Sequence, residues 1–140
     1  MNIRHRWVGA ALISLQLCLA VGCGGPKQPD FDPLHPVTGK TQRAGAPLAG
    51  GSLRFNPIPD KQEFIINSLV GPDGTFTLTT VRTTDSKGER RPGAPAGEYS
   101  VVYIPESLDQ TAGYQPPITL PQKVVIEAKE NTLTLEVPPR

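Results

Sequence analysis

Two thiols, Cys18 and Cys23, stand at the end of an N-terminal apolar run. A cysteine can act as a nucleophile, as half of a disulfide, or as a point of covalent attachment, and its surroundings decide which. Other reactive groups are sparse. Past residue 22 the chain holds one histidine, His35. A hydrolytic triad needs a base beside a nucleophile and a third group to orient it. His35 lies in the Pro-rich stretch "GGPKQPDFDPLHP" (residues 24–36), where no folded surroundings are expected to supply either. Zinc takes three or four His, Cys or acidic ligands, and none cluster. Neither "GxxxxGK[ST]" nor a "GxGxxG" ahead of a helix is present to cradle phosphate. Two carboxylate pairs remain, Asp85 with Glu89 and Glu106 with Asp109. Calcium wants six to eight oxygens, each pair supplies two carboxylates, and Lys87 intrudes on the first, so both read as solvated loops. The sequence implies no metal, no cofactor and no enzyme.

Aromatic residues offer a different chemistry, stacking against sugar rings. Tyr103 shares a strand face with Tyr99 and reads as core. Tyr114, in "TAGYQPP" (residues 111–117), is the exposed candidate, with packing inside its own turn as the plainer reading. Basic residues cluster only in "GERR" (residues 88–91). With Arg4 and Arg6 removed as described below, twelve basic residues face thirteen acidic ones. A chain so near neutrality lacks the basic patch a nucleic-acid binder needs. Asp85, Lys87, Glu89, Arg90, Arg91 and Tyr114 are therefore the candidate contact surface, for an envelope protein or a glycan.

What must position these groups begins with the N-terminus. Arg4 and Arg6 precede a nearly unbroken apolar run over residues 7–21, and Ala20, Val21 and Gly22 are small. A basic start, an apolar middle and small residues at the cut make a secretory signal. The run has fifteen residues, short of the ~20 a membrane span requires. "LAVGC" (residues 19–23) resembles the bacterial lipobox. The resemblance implies cleavage after Gly22, a diacylglyceryl thioether on Cys23, and acylation of the freed amine, as by palmitate. Cys18 leaves with residues 1–22, so the mature chain has neither free thiol nor disulfide. Each buried CH₂ contributes ~0.8 kcal/mol to anchoring. The expected location is the periplasm or the cell surface, held to a membrane through Cys23. Residues 23–36 read as a tether, which at ~3.1 Å per residue lifts the domain up to roughly 40 Å from the bilayer.

Residues 37–140 read as one all-β domain, in keeping with ~100–150 residues per domain. Period-two alternation, the mark of half-buried strands, recurs in "VTGKTQR" (37–43), "GSLRFNP" (51–57), "TFTLTT" (75–80), "EYSVVYI" (98–104), "KVVIEA" (123–128) and "TLTLEV" (132–137). "EFIINSLV" (63–70) is apolar on both faces, and so reads as central or bulged. "GPDG" (71–74) suits a turn closing a hairpin between the third and fourth strands. Residues 81–97 read as a long polar loop, a kind often functional. Seven short strands with regular turns indicate a sandwich.

The order of several marks is similar to the carboxypeptidase regulatory-like, or transthyretin-like, β-sandwich of small bacterial lipoproteins. The marks are Gly39; Gly45, Pro47, Leu48 and Gly50; Phe55; Asp73, Gly74 and Phe76; and Pro95, Gly97 and Tyr99. The resemblance implies a seven-stranded Ig-like (prealbumin-like) sandwich, a closing hairpin over residues 120–137, and a module without peptidase activity of its own. Thr41 and Arg43 stand where such domains carry apolar residues, which suggests a ragged edge strand. The leading expectation is a lipid-anchored, non-enzymatic interaction or structural module. A carbohydrate- or cell-wall-binding module and an accessory subunit of an envelope enzyme are the alternatives.

Overall fold

A computed structural model describes residues 31–106 and 113–140. Among them the alternating segments become strands and no helix forms. Thirteen strand segments result: β1 (Leu34–His35), β2 (Val37–Arg43), β3 (Ala46–Pro47), β4 (Ser52–Ile58), β5 (Phe64–Leu69), β6 (Thr75–Thr77), β7 (Thr79–Arg82), β8 (Arg90–Pro92), β9 (Ala94–Pro95), β10 (Gly97–Ile104), β11 (Ile118–Thr119), β12 (Val124–Ile126) and β13 (Asn131–Glu136). The larger sheet runs β11–β10–β4–β5–β7–β8, with β12 also on β10. The smaller places β2 between β13 and the short β3 and β6. A third ladder joins β1 to β9.

Alternation decides which side chains face inward. Leu53 and Phe55 from β4, Ile66 from β5, and Tyr99 and Val101 from β10 meet Val37, Phe76 and Leu135 from the smaller sheet in one core. Phe55 sits at the junction, 6.3 Å from the Phe76 ring and edge-on to Tyr99 at 6.1 Å. The result is β-sandwich-like and all-β. Tyr99 is buried, and its hydroxyl donates to the Pro95 carbonyl at 2.6 Å. Burial, with the Asp32 carboxylate adding to it, pushes the phenol pKa up to about 12.

Three expectations about connectivity are corrected. The strand over residues 37–43 is no ragged edge, because β2 is the centre of the smaller sheet. Thr41 is fully buried there, and its hydroxyl is placed to donate to the Leu48 carbonyl at 2.8 Å and the Gly74 carbonyl at 3.0 Å. The turn at residues 71–74 forms, with Gly74 at φ 78° and Asp73 accepting from the Thr75 amide and hydroxyl. The expected pairing of residues 63–70 with 75–80 is met only by the second half of the latter, where Thr79 and Thr80 face Asn67 and Ile66, while β5 and β6 form no ladder. Thr41 N–H donates to the Gly74 carbonyl, which docks the turn on β2, so β6 joins β2 while β7 returns to β5. The single strand expected over residues 75–80 is thus split at the buried Leu78. The last two strands make no hairpin either. β12 lies on β10, and β13 runs parallel to β2. The buried Asn131 side chain closes the link between them by bonding Glu127 N–H, Glu127 C=O and Lys129 C=O.

The tether and the long loop are both shorter than expected. Phe31–Arg140 forms one compact unit, so residues 31–36 belong to the folded domain. His35 accordingly has folded surroundings, paired with Ala94 across β1 and β9. About half of residues 81–97 is strand, and the longest stretch without strand is 83–89.

Two outcomes follow. A Cβ at Gly39 would lie 2.3 Å from the Leu133 carbonyl oxygen and 2.6 Å from the Phe76 ring. Gly39→Ala should cost about 3 kcal/mol and lower the midpoint of thermal unfolding by roughly 10–20 °C. Tyr99 has a folded-state pKa above its ordinary value of 10.0. Its contribution is therefore whole below pH 10 and is lost as pH rises through about 12, a tenfold difference in proton affinity being worth about 1.4 kcal/mol. Denaturant midpoints measured between those pH values should fall in the wild type and fall less in Tyr99→Phe.

Candidate interaction surface

The expected contact residues separate into groups with different work. Asp85 shapes the loop at 83–89. Its carboxylate accepts the amides of Lys87 at 2.9 Å and Glu89 at 3.1 Å, and these bonds hold its pKa below the usual carboxylate range. Lys87 and Glu89 are exposed on the same loop. Arg90 and Arg91 are not loop residues but lie on the edge strand β8. The Arg90 guanidinium reaches back over the sheet to Asn67 Oδ1 at 2.6 Å and Thr79 Oγ1 at 2.9 Å. Arg91 turns to Glu89 and to the Phe31 ring, with its guanidinium carbon 4.3 Å from the ring centroid.

Tyr114 is 86 % exposed. It precedes β11, at the opposite edge of the larger sheet from β8. Five strand spacings of ~4.8 Å separate those edges by roughly 24 Å, so Tyr114 and the 85–91 group do not make one site. Glu106 is exposed, while its expected companion Asp109, like Gly22 and Cys23, lies outside the described residues. Among the described residues no three His, Cys, Asp or Glu side chains come together in a metal-binding group.

The surface that stands out was not among the expected residues. The solvent face of the larger sheet carries Ile65, Leu69 and Ile104 exposed, with Leu69 at 81 %. Register makes this a patch. Leu69 pairs with Ser52, which pairs with Ile104. Arg54 stands between Val102 and Asn67 in the next row. Ile65 leads across Val81 to Arg90. An open groove of about 1090 Å³ runs over these residues, and its lining holds two arginines and no carboxylate. The sequence did carry the signal, since residues 63–70 are apolar on both faces. One face is core; the other is this groove.

Phe31 fixes the rim of this sheet. Its ring stacks on Phe64 at 5.5 Å, and the Arg82 guanidinium carbon lies 4.3 Å from its centroid, as does that of Arg91. Asp32 forms an ion pair with Lys61. A cation over an aromatic face contributes ~0.5–2 kcal/mol, more as water is excluded; Arg82 here is buried.

No family model matches this chain, and comparison with curated proteins and with solved structures gives no match.

Phe31→Ala should lower stability by about 2–3 kcal/mol, less than a full core truncation because the ring is partly exposed. Amide exchange at His35 and Ala94 should accelerate more than exchange in β4 or β10.

Proposed function

We propose that this chain is an exported, lipid-anchored protein of the cell envelope whose β domain is a non-enzymatic interaction module. The observation that carries the reading is the groove on the solvent face of the larger sheet. Exposed aliphatic side chains gathered beside a groove on one sheet face mark a contact surface. Three exposed aliphatic side chains flanked by two arginines suit a protein surface that brings apolar groups and carboxylates. The anchoring half rests on the sequence around Cys23. The domain class proposed is the carboxypeptidase regulatory-like, Ig-like sandwich. Support comes from the Tyr99 hydroxyl, which bonds back to the backbone four residues upstream, as the corner tyrosine of Ig-like sandwiches does. The position of Tyr114 favours a second reading, a glycan-binding module, because a tyrosine this exposed can stack on a sugar.

Cross-linking in the native cells, followed by gentle solubilisation, tests both. A stoichiometric protein partner should be captured by the wild type, lost in Cys23→Ser along with the membrane fraction, and reduced at least tenfold in Leu69→Asp. Capture unaffected by Leu69→Asp would remove the groove from the argument. Retention on cell-wall glycan that disappears in Tyr114→Ala, with no protein captured, would establish the second reading instead.

A further inference from the structure

A sheet edge presents unpaired amides and carbonyls, and natural proteins blunt such edges with short strands, proline, charge or bulges. Among the described residues every edge but one follows that practice. β8 is Arg90-Arg91-Pro92, β3 and β11 have two residues each, and β6 and β12 have three. The exception is β13. It is six residues long, has β2 on one side only, holds an unbroken register with it, and carries no proline or lysine.

Its hydrogen bonds tell which groups are free. Asn131 N–H donates to the Pro36 carbonyl and Val137 N–H to the Gln42 carbonyl. Backbone direction repeats every second residue along a strand. Residues 131, 133, 135 and 137 therefore turn both polar groups toward β2, while Thr132, Thr134 and Glu136 turn theirs to the open side. Beside that side runs a cleft of about 250 Å³ with a mixed lining, Leu120, Val124, Leu133 and Leu135 together with Gln122 and Lys123.

We infer that this edge pairs with the same edge of a second copy, antiparallel, about a two-fold axis through Thr134. The register follows from matching. With Thr134 on the axis it faces itself, and Thr132 faces Glu136 in both directions. All three outward residues are then paired, through about six backbone bonds. A shift of the axis to residue 133 or 135 leaves one of the three without an outward partner, and an axis at Glu136 sets two carboxylates against each other. The inner face agrees. Leu133, only partly buried in the single chain, falls opposite Leu135 of the second copy, beside the cleft. The side chains that meet outside are one threonine pair and two pairs of threonine with glutamate, favourable or neutral neighbours across strands. Two copies thereby continue the smaller sheets into one. This surface is separate from the groove on the larger sheet and does not rest on its reading.

Residue-level cross-linking tests the register in the full-length protein in its own membranes. Directly opposed, hydrogen-bonded residues have Cα atoms ~5.5 Å apart, within disulfide range. Thr134→Cys, oxidised with copper–phenanthroline, should yield a reducible species of twice the chain mass. Thr132→Cys should not, because the two substituted residues lie ~14 Å apart in this register. The double variant Thr132→Cys/Glu136→Cys should recover it. Thr134→Lys, exposed and so harmless to the fold, should halve the mass measured by light scattering in mild detergent while leaving circular dichroism unchanged. A Thr134→Cys protein that stays monomeric, cross-links no better than the wild type, or joins a chain of different mass would overturn the proposal. So would a wild type whose mass equals that of Thr134→Lys.

Discussion

The missing side chain of Gly39 is the constraint on which the smaller sheet depends. Phe76 lays its ring against the Gly39 backbone, and the Leu133 carbonyl approaches from the other strand. Both neighbours of β2 come close because nothing projects between them. That contact in turn seats Phe76 against Phe55, the ring where the two sheets meet. A crowded β2 would push β6 and β13 apart together, and with them the bend at Leu78 that carries the chain from one sheet to the other. Thr41 does the complementary work one turn of the pleat later. Its hydroxyl and amide converge on the carbonyls of Leu48 and Gly74, so a buried polar residue ties two crossing loops to the strand they straddle.

These dependencies explain which parts of the fold the sequence discloses. Alternation says which face of a strand is buried, and residues 52–58 and 97–104 were legible for that reason. It does not say which strand lies alongside. Residues 75–80 alternate without interruption, yet they serve two sheets, because the change of partner is made by hydrogen bonds to Gly74 and Val37 and leaves the pattern intact. Thr41 reads from the sequence as the mark of a ragged edge strand, since its partners are carbonyls thirty-three and seven residues distant. Arg90 and Arg91 looked like loop charges. In the structure their guanidinium groups lie over the sheet, toward Asn67 and Phe31, and the strand they occupy is short enough to have been hidden in polar sequence.

The candidate surface was legible only in part. A segment apolar on both faces is normally buried on both. Ile65 and Leu69 depart from that expectation because no second layer covers their side of the larger sheet among the described residues. Composition cannot distinguish a doubly covered strand from one that keeps an apolar face uncovered. The polar loop that did attract notice turns out to be a compact turn, organised by the Asp85 carboxylate.

Phe31 has a consequence for reach. Held by Phe64 and two guanidinium groups, it belongs to the compact unit, and seven residues lie between it and Cys23 in the sequence. Fully extended, such a chain spans at most about 25 Å, where the whole Pro-rich stretch would have given roughly 40 Å. A domain of this size is itself about 30 Å across. For a protein fastened at Cys23, the leash is thus shorter than the body it holds. With the anchor proposed above, such a domain would sample a thin shell over the lipid rather than a wide hemisphere, and a partner would have to come down to the membrane to meet it.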